Sequence, residues 1–259
     1  MADAFARTAG NPLRALTLPM AALVTAVVAA SWFVTWSTAS LSNELLMVPA
    51  STTEVARLTI FFLLMIVMMV AMMLPSALPM ILSYRGLTRL ENGIPSKPAD
   101  DLGTVLFVAP YFLVWGAFGV LALFGLVVAG AMGSMVGPAA YLPAAVLIAA
   151  GAWQFTRTKE VCVTHCQSPM GFVMHHWRAG RGGAVRMGLR HSVYCVGCCW
   201  LFMIVLFVAG AMSLLWMGAL AVVIFVEKVE ARRMLASRVI GVLLVALGAF
   251  VAVRTYLGA

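Results

Sequence analysis

The sequence predicts an all-α fold, a polytopic transmembrane helical bundle of about seven spans with its N-terminus in the cytoplasm. Three observations carry that expectation. Of 259 residues, 63% are hydrophobic and only 10% are charged, against about 25% charged in a soluble domain. The apolar residues come in blocks long enough to cross a bilayer as a helix, roughly 20 residues each. Seven spans also place 15 of the 17 Lys and Arg on one side of the membrane, as the positive-inside rule requires. No polar segment exceeds about 35 residues, well short of an ordinary domain, so 1–259 reads as a single integral membrane domain.

The first span covers about 17–36 and ends in Trp32 and Trp36, which suit an interfacial aromatic belt. Its length, weakly basic flank and lack of a small-residue cleavage site make it a retained helix rather than a signal peptide. The second covers about 58–82. Pro75 and Pro79 end or kink it, because each removes a backbone donor. The freed carbonyls and Ser76 could line a cavity. The third to seventh spans cover about 104–131, 139–156, 190–212, 214–232 and 236–256. The fifth and sixth are joined by almost nothing ("AGAMSLLWMG"), which predicts a tight antiparallel hairpin. Between the fourth and fifth lies a loop, 157–190, with Pro169, Gly171, Gly180, Gly182 and Gly183. It can fold back to bring the two span ends together.

The charges fix the expected orientation. The N-terminal tail has Arg7 and Arg14, and the next loop on that side has Arg85, Arg89 and Lys97. The loop after span four has Arg157, Lys159, Arg178, Arg181, Arg186 and Arg190, and the loop after span six has Lys228, Arg232, Arg233 and Arg238. Only Arg57 and Arg254 fall on the other side; six or eight spans would spoil this partition. The net charge of +8 therefore belongs to cytoplasmic loops and implies no nucleic-acid partner. The Arg/Gly run 178–190 faces anionic lipid. The chain has no P-loop, dinucleotide fingerprint or nucleophile elbow.

The chemistry is concentrated. Every Cys and His lies between 162 and 199, in the clusters Cys162-x-x-His165-Cys166 and His191-x-x-x-Cys195-x-x-Cys198-Cys199, with His175 and His176 between. Residues three and four apart share a helix face, so each cluster forms a stripe at the facing ends of spans four and five. The cytoplasm keeps thiols reduced and five is an odd number, which argues against disulfides. One or two buried thiols need no explanation. Five interleaved with imidazole at ligand spacing point to a metal site. Cys and His bind zinc tetrahedrally, and thiolates also select Cu(I); the ligand types alone do not choose.

In the second span, Met65, Met68, Met69, Met72, Met73 and Met80 fall within roughly 140° of one helix face. Thioether suits Cu(I), so this face could relay the ion, with Met65, Met69, Met72 and Met73 the chief candidates. Such a stripe more often reflects packing by a flexible filler. Glu227 and Glu230 stand at the end of span six. Intramembrane ionisable groups are functional suspects, and Glu227 is a candidate acid/base or ligand. The alternative is that they pair with Lys228, Arg232 or Arg233. His175 and His176 are candidate ligands, head-group contacts or solvated side chains.

The segments "AMMLPSALPMILSYR" (71–85), "CVTHCQSPMGFVMHHWRAGRGGAVRMGLRHSVYCVGCCW" (162–200) and "MSLLWMGALAVVIFVEKVE" (212–230) resemble a bacterial family of predicted metal-binding integral membrane proteins. The family is of uncharacterised function, and some of its members are labelled copper chaperones. The resemblance covers about residues 55–255. It implies a multi-pass protein of the bacterial inner membrane and a metal ion, copper foremost. The implied site is Cys162, His165, Cys166, His191, Cys195, Cys198 and Cys199.

The expected function is therefore handling of Cu(I) in the membrane: binding, transfer or delivery to a membrane cuproenzyme or periplasmic copper carrier. Two alternatives stand beside it. One is a membrane metalloenzyme with a Cys/His/Glu site and Glu227 as base. The other is a structural zinc clasp pinning spans four and five, with the function elsewhere.

Overall fold

The structure, a computed structural model, describes residues 12–40, 55–91, 94–95, 98–128, 140–210, 213–229 and 233–258. The pairing expected of Glu230, the positions of Arg7, Lys97 and Arg232, and the 211–212 link of the hairpin lie outside these residues. The described chain is helical apart from one two-residue strand pair. Its helices are α1 (Pro12–Ser37), α2 (Val55–Thr88), α3 (Asp101–Val128), α4 (Leu142–Trp153), α5 (Arg157–Gln167), α6 (Pro169–His176), α7 (Gly180–Gly210), α8 (Leu214–Val229) and α9 (Arg233–Tyr256). Between α2 and α3, β1 (Leu90–Glu91) pairs antiparallel with β2 (Ile94–Pro95), a detail the helical periodicity does not foreshadow.

Among the described residues, five stretches are long and apolar enough to cross a membrane: Pro19–Ser37, Phe62–Thr88, Asp101–Ala122, Gly180–Val208 and Leu235–Tyr256. Each of the seven expected spans contains a helix. However, α4 and α8, at 12 and 16 residues, rise only about 18 and 24 Å, less than the ~30 Å hydrocarbon core.

Local chemistry explains the element ends. The Asp100 carboxylate accepts from the Gly103 N–H at 2.8 Å and starts α3, and the Thr156 hydroxyl accepts from the Lys159 N–H at the start of α5. Both satisfy orphan donors of a first turn. Pro169 stops α5, since it cannot continue the hydrogen-bond ladder, and opens α6 at the position proline tolerates best.

Of the two outcomes expected at Pro75 and Pro79, an end or a kink, the first does not occur: α2 runs unbroken to Thr88. Membrane helices accommodate proline when neighbouring helices surround the freed carbonyls, here those of Ala71 and Pro75, and α2 is packed against α1, α3, α6 and α8. The segment 157–190 is not a loop: it forms α5, α6 and the first third of α7. Gly180 supplies the turn into α7 with φ +79°, open to glycine at little cost. A Cβ on Gly183 would lie 2.2 Å from the Arg178 carbonyl oxygen, so the chain closes on itself there.

The most deeply buried of the five long helices is α7. It packs against α3, α4, α5 and α8, while α2 packs against α1, α3, α6 and α8, and α9 lies on α4. Glycines allow the close approaches, as is usual between membrane helices. A Cβ on Gly188 would stand 2.1 Å from the Phe107 carbonyl oxygen of α3, and one on Gly151 2.7 Å from the Gly241 carbonyl oxygen of α9. The outward faces remain apolar, with Leu23, Phe33 and Trp36 on α1 and Val242, Leu243 and Phe250 on α9 exposed. A lipid-facing surface needs that composition.

Candidate metal centre

The site forms where α5 docks on α7. On α5, Lys159, Cys162 and Cys166 recur at i, i+3 and i+7, and this is the buried stripe of an otherwise polar helix. On α7, His191, Cys195, Cys198 and Cys199 are buried in turn. The two stripes meet. The sulfurs of Cys195, Cys198 and Cys199 all lie within 4.8 Å of one another, and Cys166 stands close enough to Cys195 and Cys198 to couple electrostatically with both. The Sγ atoms of Cys198 and Cys199 are 3.0 Å apart. Cys162 is set at the rim: its Sγ would lie 2.7 Å from a Cβ on Gly197, which makes glycine the residue that lets α5 approach. All five thiols are free and buried.

Burial raises the Cys162 thiol above its ordinary range, despite the opposing pull of Lys159. At Cys166 the interaction with Cys195 raises the thiol, that with Cys198 opposes, and burial adds to the rise, leaving it well above the usual range.

His191 lies under the cluster, its ring stacked on Tyr111 at 5.3 Å and on Phe107 at 6.1 Å. Neither ring nitrogen has a hydrogen-bond partner. A buried, unsatisfied imidazole costs free energy, and this one stands one turn from Cys195, outside the group of three sulfurs that lie within 4.8 Å of one another. His165 takes another direction. It stacks face to face on Tyr194 at 4.1 Å and lines an outer hollow with His175 and His176.

Two buried ammonium groups border the thiols. Lys228, only 7% exposed, reaches Cys195 Sγ at 3.1 Å and Ser76 Oγ at 3.0 Å, and Tyr111 Oη is 3.0 Å from the same sulfur. Lys159 donates to the Cys198 carbonyl at 2.6 Å and to Glu227 Oε2 at 2.8 Å, beneath the Phe202 ring. Burial pulls the Lys159 pKa down, but the Glu227 charge, the Cys198 and Cys199 thiols and the hydrogen bond to Glu227 together outweigh it and hold the ammonium above its ordinary range. Glu227 therefore pairs with Lys159 across 68 residues and not with its neighbour Lys228. Gln167 donates to the Glu227 carbonyl.

The sequence reading did not single out Tyr111, Lys159 or Lys228 as parts of the site. The signal for Lys159 is its heptad spacing from Cys166. For Lys228 it is a cation at the end of a long apolar run, the same rule that singled out Glu227. Tyr111 carries no signal in its own segment.

The methionine face of α2 is wholly internal. Met65, Met68, Met69, Met72, Met73 and Met80 are each at most 1% exposed and share one core with the cysteines. Ser76 joins that face to the site through Lys228, with Met72 and Met80 one turn to either side.

Buried soft sulfur donors, an unpartnered imidazole and two compensating cations fit a soft metal ion. Fold and site together define an all-helical protein of membrane-spanning type with a buried thiol centre. The chain belongs to the PpoB2 copper chaperone family, whose family model matches residues 62–251, well over half of the sequence. No curated protein and no solved structure matches it. Family and cysteine cluster together support metal binding, with copper the metal that the family description names.

Proposed function

We propose that this protein is a multi-pass copper chaperone of the bacterial inner membrane, holding Cu(I) on its thiol centre and passing it to a membrane cuproenzyme or a periplasmic copper carrier. The observation that carries the reading is the convergence of Cys166, Cys195, Cys198 and Cys199 at the α5–α7 contact. A Cu(I) ion with two or three thiolates is a net anion. Buried charge is costly unless paired, and the Lys228 ammonium beside Cys195 supplies the counter-charge. Membrane residence is supported by the five long apolar helices. Seven crossings with the N-terminus in the cytoplasm are supported by the Lys/Arg partition.

The test is transfer. Protein loaded with Cu(I) in reducing nanodiscs is mixed with an apo-cuproenzyme, and its activation is followed. Activation that depends on Cys195 and Cys198 supports the reading. Tightly held stoichiometric zinc, with no uptake of copper, replaces it with the second reading, a zinc clasp. That reading draws on one observation: Cys166 of α5 and three thiols of α7 make four sulfurs joining two helices, the count a structural zinc site uses.

A further inference from the structure

Outside the thiol centre, α5 and α6 enclose an open hollow of about 300 Å³, lined by His165, His175 and His176 together with Ser168 and Phe172. Three of the four histidines of the chain stand here, and none of the lining residues is Lys, Arg, Asp or Glu. We propose that this hollow is a second metal site, built from imidazole alone and separate from the thiols, which takes a borderline divalent transition-metal ion of the Zn(II) or Cu(II) class.

Three features support it. First, the ligand atoms are already selected. His165 Nδ1 is 2.8 Å from the Val161 carbonyl oxygen and His176 Nδ1 is 3.0 Å from that of Phe172. A carbonyl can only accept, so each Nδ1 carries the proton and each Nε2 keeps a free lone pair. Metal-bound histidines are oriented in the same way, with the other ring nitrogen tied to a backbone carbonyl or carboxylate.

Second, the spacing fits. The His165 and His176 ring centroids are 6.5 Å apart. An ion about 2.0 Å from each Nε2 separates two ring centroids by roughly 5.2 to 6.4 Å, from tetrahedral to linear. The observed 6.5 Å lies just beyond the open end of that range. His175, with its ring 5.0 Å from His176, lines the same hollow.

Third, both anchoring histidines occupy the last turn of their helices, where the partial negative charge of free carbonyls favours a cation. His165 is further fixed by Tyr194, parallel within 3°, so little ordering remains to be done on binding.

The site stands whether or not the thiols hold copper, and Co(II) separates the two. Thiolate ligation of Co(II) gives an intense sulfur-to-metal charge-transfer band, and imidazole ligation does not. Full-length reduced protein in detergent is titrated anaerobically with Co(II), with bound metal counted by dialysis. The expected result is one equivalent that adds no charge-transfer intensity. His165→Gln with His176→Gln weakens that equivalent by at least about tenfold, the loss that even outer-shell partners of a metal cause. Cys198→Ser leaves it in place. His175→Gln alone weakens it less. Unchanged metal counts in the double-histidine variant, with circular dichroism showing it folded, overturn the proposal. So does a band that accompanies every equivalent bound. Failure of the thiol reading looks different: no charge-transfer band at any ratio, with the imidazole equivalent retained.

Discussion

The Nζ of Lys228 stands 3.1 Å from the Sγ of Cys195, a cation tethered to the sulfur at the centre of the thiol cluster. Because Ser76 holds the same ammonium from α2, the contact ties three helices, α2, α7 and α8, to one sulfur. Hydrogen bonds to charged groups contribute about 1.5–3 kcal/mol. Lys228→Met is therefore expected to weaken Cu(I) binding roughly 10- to 100-fold, and Lys228→Arg to weaken it less. Competition with a chromophoric Cu(I) chelator measures both. Equal affinities in wild type and Lys228→Met would remove the counter-charge argument.

The thiols are not equivalent. Cys195 and Cys198 sit in one group with Cys199 and couple with Cys166, whereas Cys162 lies at the rim against Gly197. Cys195→Ser and Cys198→Ser should each lower Cu(I) affinity by more than about 100-fold, beyond the range for outer-shell partners. Cys162→Ser should lower it less than tenfold. Far-UV circular dichroism should stay unchanged in all three, since serine preserves volume. Equal losses at all three positions would mean that Cys162 also reaches the ion.

Lys159 and Glu227, 1% and 2% exposed, form a buried ion pair between α5 and α8. Removing one partner leaves the other charge buried alone, at about 3–5 kcal/mol. Glu227→Leu and Lys159→Met should each lower thermal stability in detergent, and the double change should recover most of it, since an apolar pair of similar volume is often neutral. Additive losses in the double-mutant cycle would show that the two side chains do not act as a pair.

How much of this was legible in the sequence depends on which force places each residue. The long apolar blocks announce helices because in a bilayer nothing else satisfies the backbone, and the two Cys/His stripes announce a shared site because spacing alone sets their faces. Helical order in 157–190 was hidden by its glycines and charges. Those residues read as loop, yet Gly180 and Gly183 serve a tight turn and the polar face of α5 is its exposed side. The divergence of His165 from Cys166 was hidden too, because adjacent residues on a helix point about 100° apart and only the partner helix decides which one turns inward. Lys159 was counted as a topological charge, and only the fold reveals that it turns inward to Glu227.

Gly188 and Gly197 both admit a neighbour, but of different kinds. A methyl on Gly188 would meet backbone, 2.1 Å from the Phe107 carbonyl oxygen, while one on Gly197 would meet the Cys162 side chain at 2.7 Å. Overpacking costs about 1–3 kcal/mol, and backbone yields less readily than a side chain. Gly188→Ala should therefore lower the melting temperature more than Gly197→Ala. Gly197→Ala should instead raise the reactivity of Cys162 toward a small thiol reagent as α5 is pushed away. The reverse ranking would show that α5 is docked more rigidly than α3.

The methionine face of α2 allows a test that separates passage of the ion from its storage. Met72 and Met80 flank Ser76 by one turn each, and Ser76 reaches the site through Lys228. Leu replaces Met at nearly constant volume for less than about 1.5 kcal/mol, but it has no sulfur to offer a soft ion. If thioethers pass Cu(I) to or from the thiols, Met72→Leu and Met69→Leu should slow transfer to an acceptor severalfold while leaving equilibrium affinity within about twofold, because a way-station changes the barrier between end states and not the end states themselves. If the stripe only fills space between α2 and its neighbours, transfer rates will match wild type and any effect will appear in stability alone. Stopped-flow transfer to a Cu(I)-selective dye, read beside a melting curve for each variant, distinguishes the two.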